Sequence, residues 1–168
     1  IDSEHFSIKK LMQHIKKDNI EKIYLTASGG PFLNYPINKM SNIKPSQAVN
    51  HPKWKMGKKI SIDSATLMNK IFEVIEANKL FAIDLSKIEI LIHPQSLVHA
   101  IVKLKNGLNI FLYFETDMSI PIGNEIFENK FELKKIKNIE NRFKKNEYSN
   151  NLNFFKVNKI KFPAIKLK

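Results

Sequence analysis

The sequence predicts an α/β or α+β fold, because helical and strand-like segments alternate along the chain. Apolar residues recur at helical spacing over residues 6–17, and the short apolar run KIYLTA follows at residues 22–27. A second helix-like stretch over residues 63–81 is followed by the strand-like run IEILIH at residues 88–93. This order predicts helices packed against a sheet.

The elements between and after these segments are shorter. SGGP at residues 28–31 is a turn, KPSQAVNH begins a short helix after Pro45, and HPKWKMGKK has the Pro, Gly and Lys content of an exposed loop. The runs LVHAIVKLK and LNIFLYF flank Asn106-Gly107, which predicts a β-hairpin. PIGNEIF at residues 121–127 opens another helix.

Composition is typical of a globular protein and excludes several kinds of site. The 168 residues suffice for one domain with a core, or for part of a larger protein, and 43% of them are hydrophobic. Cys is absent, which excludes disulfides and thiolate chemistry. No apolar run approaches the ~20 residues that span a bilayer, and the N-terminus has no signal-peptide pattern. We therefore expect a soluble, cytoplasmic protein without membrane contact, although a leader could precede Ile1.

The positive charge is concentrated at one end of the chain. Residues 130–168 contain 12 Lys and Arg against 3 Asp and Glu, whereas the formal net charge of the whole chain is +12. This Lys- and Asn-rich composition predicts a boundary near Asn129, with residues 1–129 forming a separate domain. No nucleic-acid-binding motif is present, so the charge excess is more typical of a solvated surface, and non-specific attraction to phosphates remains an alternative.

One helical stripe in IDSATLMNKIFEVIEA mixes an amide, a cation and a carboxylate. At 3.6 residues per turn, the stripe consists of Thr66, Asn69, Lys70 and Glu73. The apolar residues that fill much of the rest of the helix are Leu67, Met68, Ile71, Phe72 and Ile75. A solvated face is the ordinary interpretation. A site that holds a phosphate and a metal together is the alternative.

The N-terminal segment IDSEH offers a second candidate site. Asp2 and Glu4 are two residues apart, so in an extended backbone their side chains point the same way and could share a hard divalent cation. Two neighbouring acidic residues are also common on ordinary surfaces.

Two further segments have features of an anion site. In LTASGGPF a strand ends at Ser28, and the two glycines that follow let backbone amides approach an anion, although such a turn is also a plain structural device. Asp63 or Ser64 is suited to cap the next helix, whose free N–H groups favour phosphate. Ser64, Asn69 and Lys70 could complete that cradle, and Glu73, one turn further on, could reach a metal. Neither a P-loop nor a dinucleotide-binding glycine motif is present.

The loop HPKWKMG is a candidate lid. Its side chains His51, Trp54 and Met56 would exclude water from a bound ligand, although a loop Trp more often anchors its loop to the core. His93 and His99 lie in strand-like segments, where a buried structural role is the more ordinary one.

Taken together, these segments resemble the catalytic region of the deoxyxylulose phosphate reductoisomerases. The resemblance rests, in chain order, on IDSEH, LTASGGPF, HPKWKMGKKISIDSATLMNK with its following Glu73, IEILIHPQSLVHA, DM..PI and FPAIKL. It is nearly continuous to about Ile122, weakens through the Lys- and Asn-rich stretch and returns at residues 162–167. The resemblance implies an incomplete α+β catalytic domain, and residues 130–168 would lead to a C-terminal domain that the chain lacks.

The resemblance also implies roles for individual residues. The family's carboxylate ligands for Mg²⁺ or Mn²⁺ match Asp2, Glu4 and Glu73. The residues that hold the substrate phosphate match Ser28, Ser64, Asn69 and Lys70. Ser3 matches a serine that contacts substrate, and His51, Trp54 and Met56 match the loop that closes over substrate and nicotinamide. His5 and His99 match histidines of the active site. The implied catalytic residues are Glu4, His51, Glu73 and His99.

The implied activity is the NADPH- and metal-dependent conversion of a phosphosugar, deoxyxylulose phosphate, to methylerythritol phosphate. The complete protein would be a homodimer, and this chain alone would be inactive because it lacks the NADPH-binding domain. Ile71-Phe72 departs from the family's usual Gly-Leu pair and leaves the cavity shape open. The competing interpretation is a non-catalytic remnant that binds phosphate ligands or nucleic acid.

Overall fold

A mixed sheet forms the centre of the molecule. The computed structural model describes residues 2–51, 56–133 and 151–168. The strands in this part of the chain are β1 (Ile20–Ala27), β2 (Ile88–Ile92), β3 (Val98–Leu104), β4 (Asn109–Tyr113) and β5 (Phe155–Lys156). They are ordered β4-β3-β1-β2-β5 across the sheet.

Strands β1 and β2 are parallel, and the chain between them crosses over through helices. Ala27 at the end of β1 pairs with Ile92 at the end of β2, so both strands finish at the same edge of the sheet. The other pairings in the sheet are antiparallel. The predicted hairpin of β3 and β4 is confirmed, and Gly107 in its turn has the positive φ, 89°, that glycine adopts at little cost. The α/β class is confirmed.

The α-helices of the described residues are α1 (Ser3–Met12), α2 (Pro45–Ala48), α3 (Lys58–Ala65), α4 (Met68–Phe81) and α5 (Ser119–Phe127). Helix α1 packs on β3 and β4, α4 packs on β1 and β2, and the two helices contact each other on one face of the sheet. This packing brings the N-terminal residues of the chain against α4.

Helix α1 begins earlier than predicted, at residue 3 rather than residue 6, and it ends at residue 12 rather than 17. Asp2 caps it, because the Oδ1 atom of Asp2 accepts a hydrogen bond of 2.6 Å from the backbone N–H of His5. The extended backbone considered for this segment is present at Asp2, the N-cap, but not at Glu4, which lies in the first helical turn.

The single helix predicted over residues 63–81 is also wrong, because the chain breaks between α3 and α4. Leu67 at the break has a left-handed backbone with φ of 60°. Its side chain is buried in the core, and this burial holds the unusual conformation in place. Asp63 and Ser64 therefore lie in the last turns of α3 and do not cap α4.

The hydrophobic core lies between the sheet and helices α1 and α4. Ile8, Leu25, Val74 and Val102 are completely buried in it. Phe162 belongs to the same core, and β5 pairs with β2, so residues 151–168 pack against the rest of the chain. The domain boundary near residue 129 stays a prediction. Among the described residues, no helix is long and apolar enough to cross a membrane.

Candidate active site

A cavity of about 680 Å³ opens at the sheet edge where β1 and β2 end. Ala27 and Ser28 line it at the end of β1, and Ser96 lines it in the connection that follows β2. The carboxyl ends of parallel strands meet at one edge, and the loops that leave this edge are a common position for ligand sites in α/β folds. The N-terminus of α1 and one side of α4 close the cavity.

Most of the side chains predicted for a site come together in this cavity. They are Asp2, Ser3, Glu4, Ser28, His51, Met56, Ser64, Asn69, Lys70, Glu73 and His99. His5 is buried beside the lining rather than in it. Trp54 lies outside the described residues, so the lid proposed for HPKWKMG stays a prediction.

Three carboxylates converge at one end of the cavity. Oxygen atoms of Asp2, Glu4 and Glu73 all lie within 4.8 Å of one another. Asp2 and Glu4 come from the start of α1 and Glu73 comes from α4, so the packing of these two helices creates the cluster. Carboxylate oxygens are the ligands that hard divalent cations prefer, and the donor set fits Mg²⁺ or Mn²⁺.

Three residues of the polar stripe, Asn69, Lys70 and Glu73, lie on α4 and contact this cluster, whereas Thr66 precedes α4 and is exposed. The ammonium group of Lys70 lies 2.6 Å from Oε1 of Glu4 and 2.5 Å from Oε2 of Glu73. Asn69 donates a hydrogen bond from Nδ2 to Oε1 of Glu73. Lys70 and Glu73 are each only 5% exposed. The ordinary interpretation of the stripe as a solvated face is therefore wrong for these three residues.

The apolar residues of α4 are only partly in the core. Ile71 is buried, whereas Phe72 is 42% exposed and Ile75 is 39% exposed. Both exposed side chains line the cavity. Part of the cavity wall is therefore apolar, and such a wall favours the exclusion of water from a bound ligand.

Burial sets the proton affinities in the cluster. Burial, with repulsion from Glu4, raises the pKa of Glu73 to about 8. Burial alone would lower the pKa of Lys70, but the charges of Glu4 and Glu73 outweigh it, so the pKa of Lys70 is raised. A buried cation between carboxylates compensates their charge, and a divalent metal can supply the same compensation.

His5 contacts two members of the carboxylate cluster, Asp2 and Glu73. Its Nε2 atom lies 3.0 Å from the backbone oxygen of Glu73, and its Nδ1 atom lies 2.8 Å from Oδ2 of Asp2. Both partners accept hydrogen bonds, so this geometry favours a ring protonated on both nitrogens. Burial lowers the pKa of His5, but the contact with Asp2 outweighs it and raises that pKa to about 9.

Two anion-binding candidates, Ser28 and Ser64, lie where β1 meets the end of α3. Ser28 Oγ accepts a hydrogen bond of 3.1 Å from the N–H of Gly30 and lies 2.9 Å from Nε2 of His51. Gly30 has φ of 62°, and a Cβ atom there would lie 3.1 Å from Cα of Ala65 and 3.2 Å from the oxygen of Ser64. A glycine thus allows the turn to approach Ser64 closely. Burial lowers the pKa of His51.

His99 packs against an aromatic ring and also reaches the cavity. It is 2% exposed and stacks on Phe114 with 4.2 Å between ring centroids, which is the packing of a structural residue. It also lines the cavity. Burial lowers the pKa of His99, which favours a neutral imidazole.

Sequence reasoning did not single out several other lining residues, among them Lys59, Ser96 and Met118. Ser96 and Met118 fall within the quoted segments IEILIHPQSLVHA and DM..PI, but no local pattern distinguishes them from their neighbours.

Comparison with known proteins assigns the family. A family model described as the 1-deoxy-D-xylulose 5-phosphate reductoisomerase C-terminal domain matches residues 1–81. A 1-deoxy-D-xylulose 5-phosphate reductoisomerase from Pelagibacter ubique is 53% identical over 167 residues, which cover 99% of this chain and 42% of the relative. The chain belongs to the 1-deoxy-D-xylulose 5-phosphate reductoisomerase family. The resemblance inferred from the motifs is confirmed.

Solved reductoisomerase structures have the same fold. One, in complex with NADPH, fosmidomycin and magnesium, matches 99% of this chain with a TM-score of 0.83 and 36% identity. Another, from Zymomonas mobilis in complex with NADPH, matches 99% of this chain with a TM-score of 0.79 and 37% identity. The matches cover 42% and 41% of those chains, so this chain spans about two fifths of such a reductoisomerase.

The family model ends where α4 ends, at Phe81. The matched part of the reductoisomerase domain therefore contains the carboxylate cluster and the anion-binding candidates. Ser96 and His99 line the same cavity from the part of the chain beyond that match.

Proposed function

We propose that the complete protein is a 1-deoxy-D-xylulose 5-phosphate reductoisomerase and that this chain supplies its metal and substrate site. The reaction converts 1-deoxy-D-xylulose 5-phosphate to 2-C-methyl-D-erythritol 4-phosphate with NADPH, for isoprenoid precursor synthesis. One observation carries the proposal, namely that the three carboxylates and the anion-binding candidates share one cavity in a member of this family.

Asp2, Glu4 and Glu73 are the proposed ligands of Mg²⁺ or Mn²⁺. When bound there, the cation supplies Lewis acidity to substrate oxygens during the rearrangement of the carbon chain. His5 fixes the orientation of Asp2 through its ring and that of α4 through the backbone oxygen of Glu73. Ser3, between the first two ligands, is placed to contact the substrate.

The proposed phosphate site consists of Ser28, Ser64, Asn69 and Lys70, with His51 beside Ser28. Lys70 supplies a charge, and the other three supply neutral donors. Binding energy gained at the phosphate, away from the reacting carbons, is available to orient those carbons.

The remaining assignments concern the reacting end of the substrate. Met56 is the proposed contact of this chain to NADPH. Glu4, His51, Glu73 and His99 are the proposed catalytic residues. A buried neutral His99 can donate a hydrogen bond to developing charge without adding a cation to the site.

The complete protein is further proposed to be a cytoplasmic homodimer. The alternative function, a non-catalytic remnant that binds phosphate ligands or nucleic acid, has no need for three converging carboxylates. A nucleic-acid binder would instead depend on the Lys-rich segment and on low salt.

The proposal is tested on the protein encoded by the full reading frame. With 1-deoxy-D-xylulose 5-phosphate and Mn²⁺, we expect NADPH oxidation measured by absorbance, and loss of the activity when a chelator removes the metal. Glu73→Gln is expected to lower kcat/KM by at least about a hundredfold, because a buried charged ligand is lost. Glu89→Gln, on the exposed side of β2, is the matched control and should retain activity. A parent protein without metal-dependent activity would refute the proposal.

A further inference from the structure

Ser96 lies at the cavity in the connection between β2 and β3. Its backbone N–H donates a hydrogen bond of 3.0 Å to the oxygen of His93, which closes a tight turn just after β2. Ala27 pairs with Ile92, so the turn lies at the same sheet edge as Ser28, the anion-binding candidate that follows β1. Ser96 lines the cavity together with Ser28 and His99.

The backbone of Ser96 is in an unfavourable conformation. Its φ is 57°, in the left-handed region that residues other than glycine rarely adopt. Among the described non-glycine residues, the others with positive φ are Leu67, Ala82 and Glu128, and each lies at the end of a helix. Strained residues away from helix ends concentrate at ligand sites, where the surrounding structure holds a side chain in place.

The hydroxyl group of Ser96 is also unsatisfied. The residue is only 6% exposed, and its Oγ atom is buried without a hydrogen-bond partner among the described residues. Thr26, at the same cavity, has a buried hydroxyl group that donates to the backbone oxygen of Val98. Buried polar groups in folded proteins are nearly always paired, so an unpaired one at a cavity calls for a partner from outside the chain.

We propose that Ser96 is a substrate-binding residue whose hydroxyl group forms a hydrogen bond with an oxygen of the sugar carbon chain. This inference rests on the proposed function. The carboxylates at one end of the cavity suit a cation, and the groups around Ser28 suit the phosphate. A short, neutral hydroxyl both donates and accepts, which suits a hydroxyl or carbonyl oxygen of the sugar carbon chain.

The test uses Ser96→Ala and Ser96→Gly in the full-length protein. Both remove the hydroxyl group, but only glycine relieves the backbone strain, so a common effect must come from the hydroxyl. With 1-deoxy-D-xylulose 5-phosphate, NADPH and Mn²⁺, we expect kcat/KM to fall about two- to tenfold in both variants. The ligand-free melting temperature should stay equal to that of the parent or rise, because an unpaired buried group is removed.

Two controls separate binding from structure. Thr26→Val removes a paired hydroxyl group and should lower the melting temperature, which checks that this readout detects a structural hydrogen bond. Inhibition by inorganic phosphate should weaken in Ser64→Ala and stay unchanged in Ser96→Ala, if Ser96 contacts the carbon chain rather than the phosphate.

The results that would overturn the assignment of Ser96 differ from the one that would overturn the proposed function. Parent-like kcat/KM in both Ser96 variants, a lower melting temperature in both, or weakened phosphate inhibition in Ser96→Ala would overturn the assignment of Ser96 while leaving the reductoisomerase function in place. An inactive parent protein would overturn the proposed function and the assignment of Ser96 together.

Discussion

At the scale of single residues, Lys70 connects the two halves of the proposed site. It is a candidate phosphate ligand, yet its ammonium group contacts Glu4 and Glu73, which are candidate metal ligands. A divalent cation and the ammonium group would therefore compete for the same carboxylate oxygens. Metal binding would release Lys70 for the phosphate, and the two binding events would strengthen each other.

Lys70→Met tests this competition by Mn²⁺ titration in the absence of substrate. We expect Mn²⁺ affinity to rise, on the order of tenfold, because an internal competitor is removed. The metal-free protein should be destabilised by about 3–5 kcal/mol, since buried carboxylates lose their counter-charge, and Mn²⁺ should restore much of this loss.

Lys103→Met is the matched control for Lys70→Met. Lys103 pairs with Glu21 on the half-exposed side of the sheet, away from the cavity, so its loss should leave Mn²⁺ affinity unchanged. Weaker Mn²⁺ binding in Lys70→Met would contradict the competition and make Lys70 a support of the metal site.

At the scale of elements, the site depends on where helices and strands meet. The turn after β1 must approach the last turn of α3 closely to bring Ser28 near Ser64. The break at Leu67 separates α3 from α4 and turns the chain. The ammonium group of Lys70 on α4 therefore reaches Glu4 of α1.

Gly30→Ala tests the contact between the turn and α3. The added Cβ atom would press on backbone atoms of Ala65 and Ser64, which cannot move aside cheaply. We expect a loss of about 2–4 kcal/mol in the free energy of unfolding and weaker inhibition by inorganic phosphate.

Gly107→Ala is the control, because it introduces backbone strain without a steric contact. Gly107 also has positive φ, but a Cβ atom there would meet nothing within 4 Å, so only strain of about 1 kcal/mol is expected. Equal losses in Gly30→Ala and Gly107→Ala, measured by denaturant unfolding, would show that the close approach to α3 has no energetic role.

At the scale of the whole molecule, the last residues of the chain pack on the same core as the first. Phe162 is 2% exposed among core residues that include Leu25 and Ile88. Its burial ties residues 151–168 to the sheet that carries the site.

Phe162→Ala tests whether residues 151–168 and the sheet unfold as one cooperative unit. In the full-length protein, the loss of a buried aromatic ring should cost about 3–5 kcal/mol and speed amide exchange in β1 and β2. Phe155→Ala is the control, because Phe155 is 53% exposed and its loss should cost much less. Unchanged exchange in β1 and β2 after Phe162→Ala would instead support an independent unit after residue 129.

The sequence by itself determined the family and most elements. Apolar alternation in KIYLTA and IEILIH and the Asn106-Gly107 turn are local signals, because strand pattern and turn chemistry depend on neighbours in the chain. Residue types in IDSEH and LTASGGPF likewise predicted a hard cation and an anion as candidate ligands, with purely structural roles as the alternative. No local signal indicated that Lys70 and Glu73 are buried.

Only the tertiary structure decided how these groups meet. The contact between Lys70 and Glu4 joins residues 66 positions apart and depends on the packing of α1 against α4. The helical start at Asp2, the break at Leu67 and the unpaired hydroxyl of Ser96 follow in the same way from what surrounds them in space. Burial determines the conformation and the pKa of a side chain, and whether its polar atoms find a hydrogen-bond partner. Burial in turn arises from packing between parts of the chain that are distant in sequence.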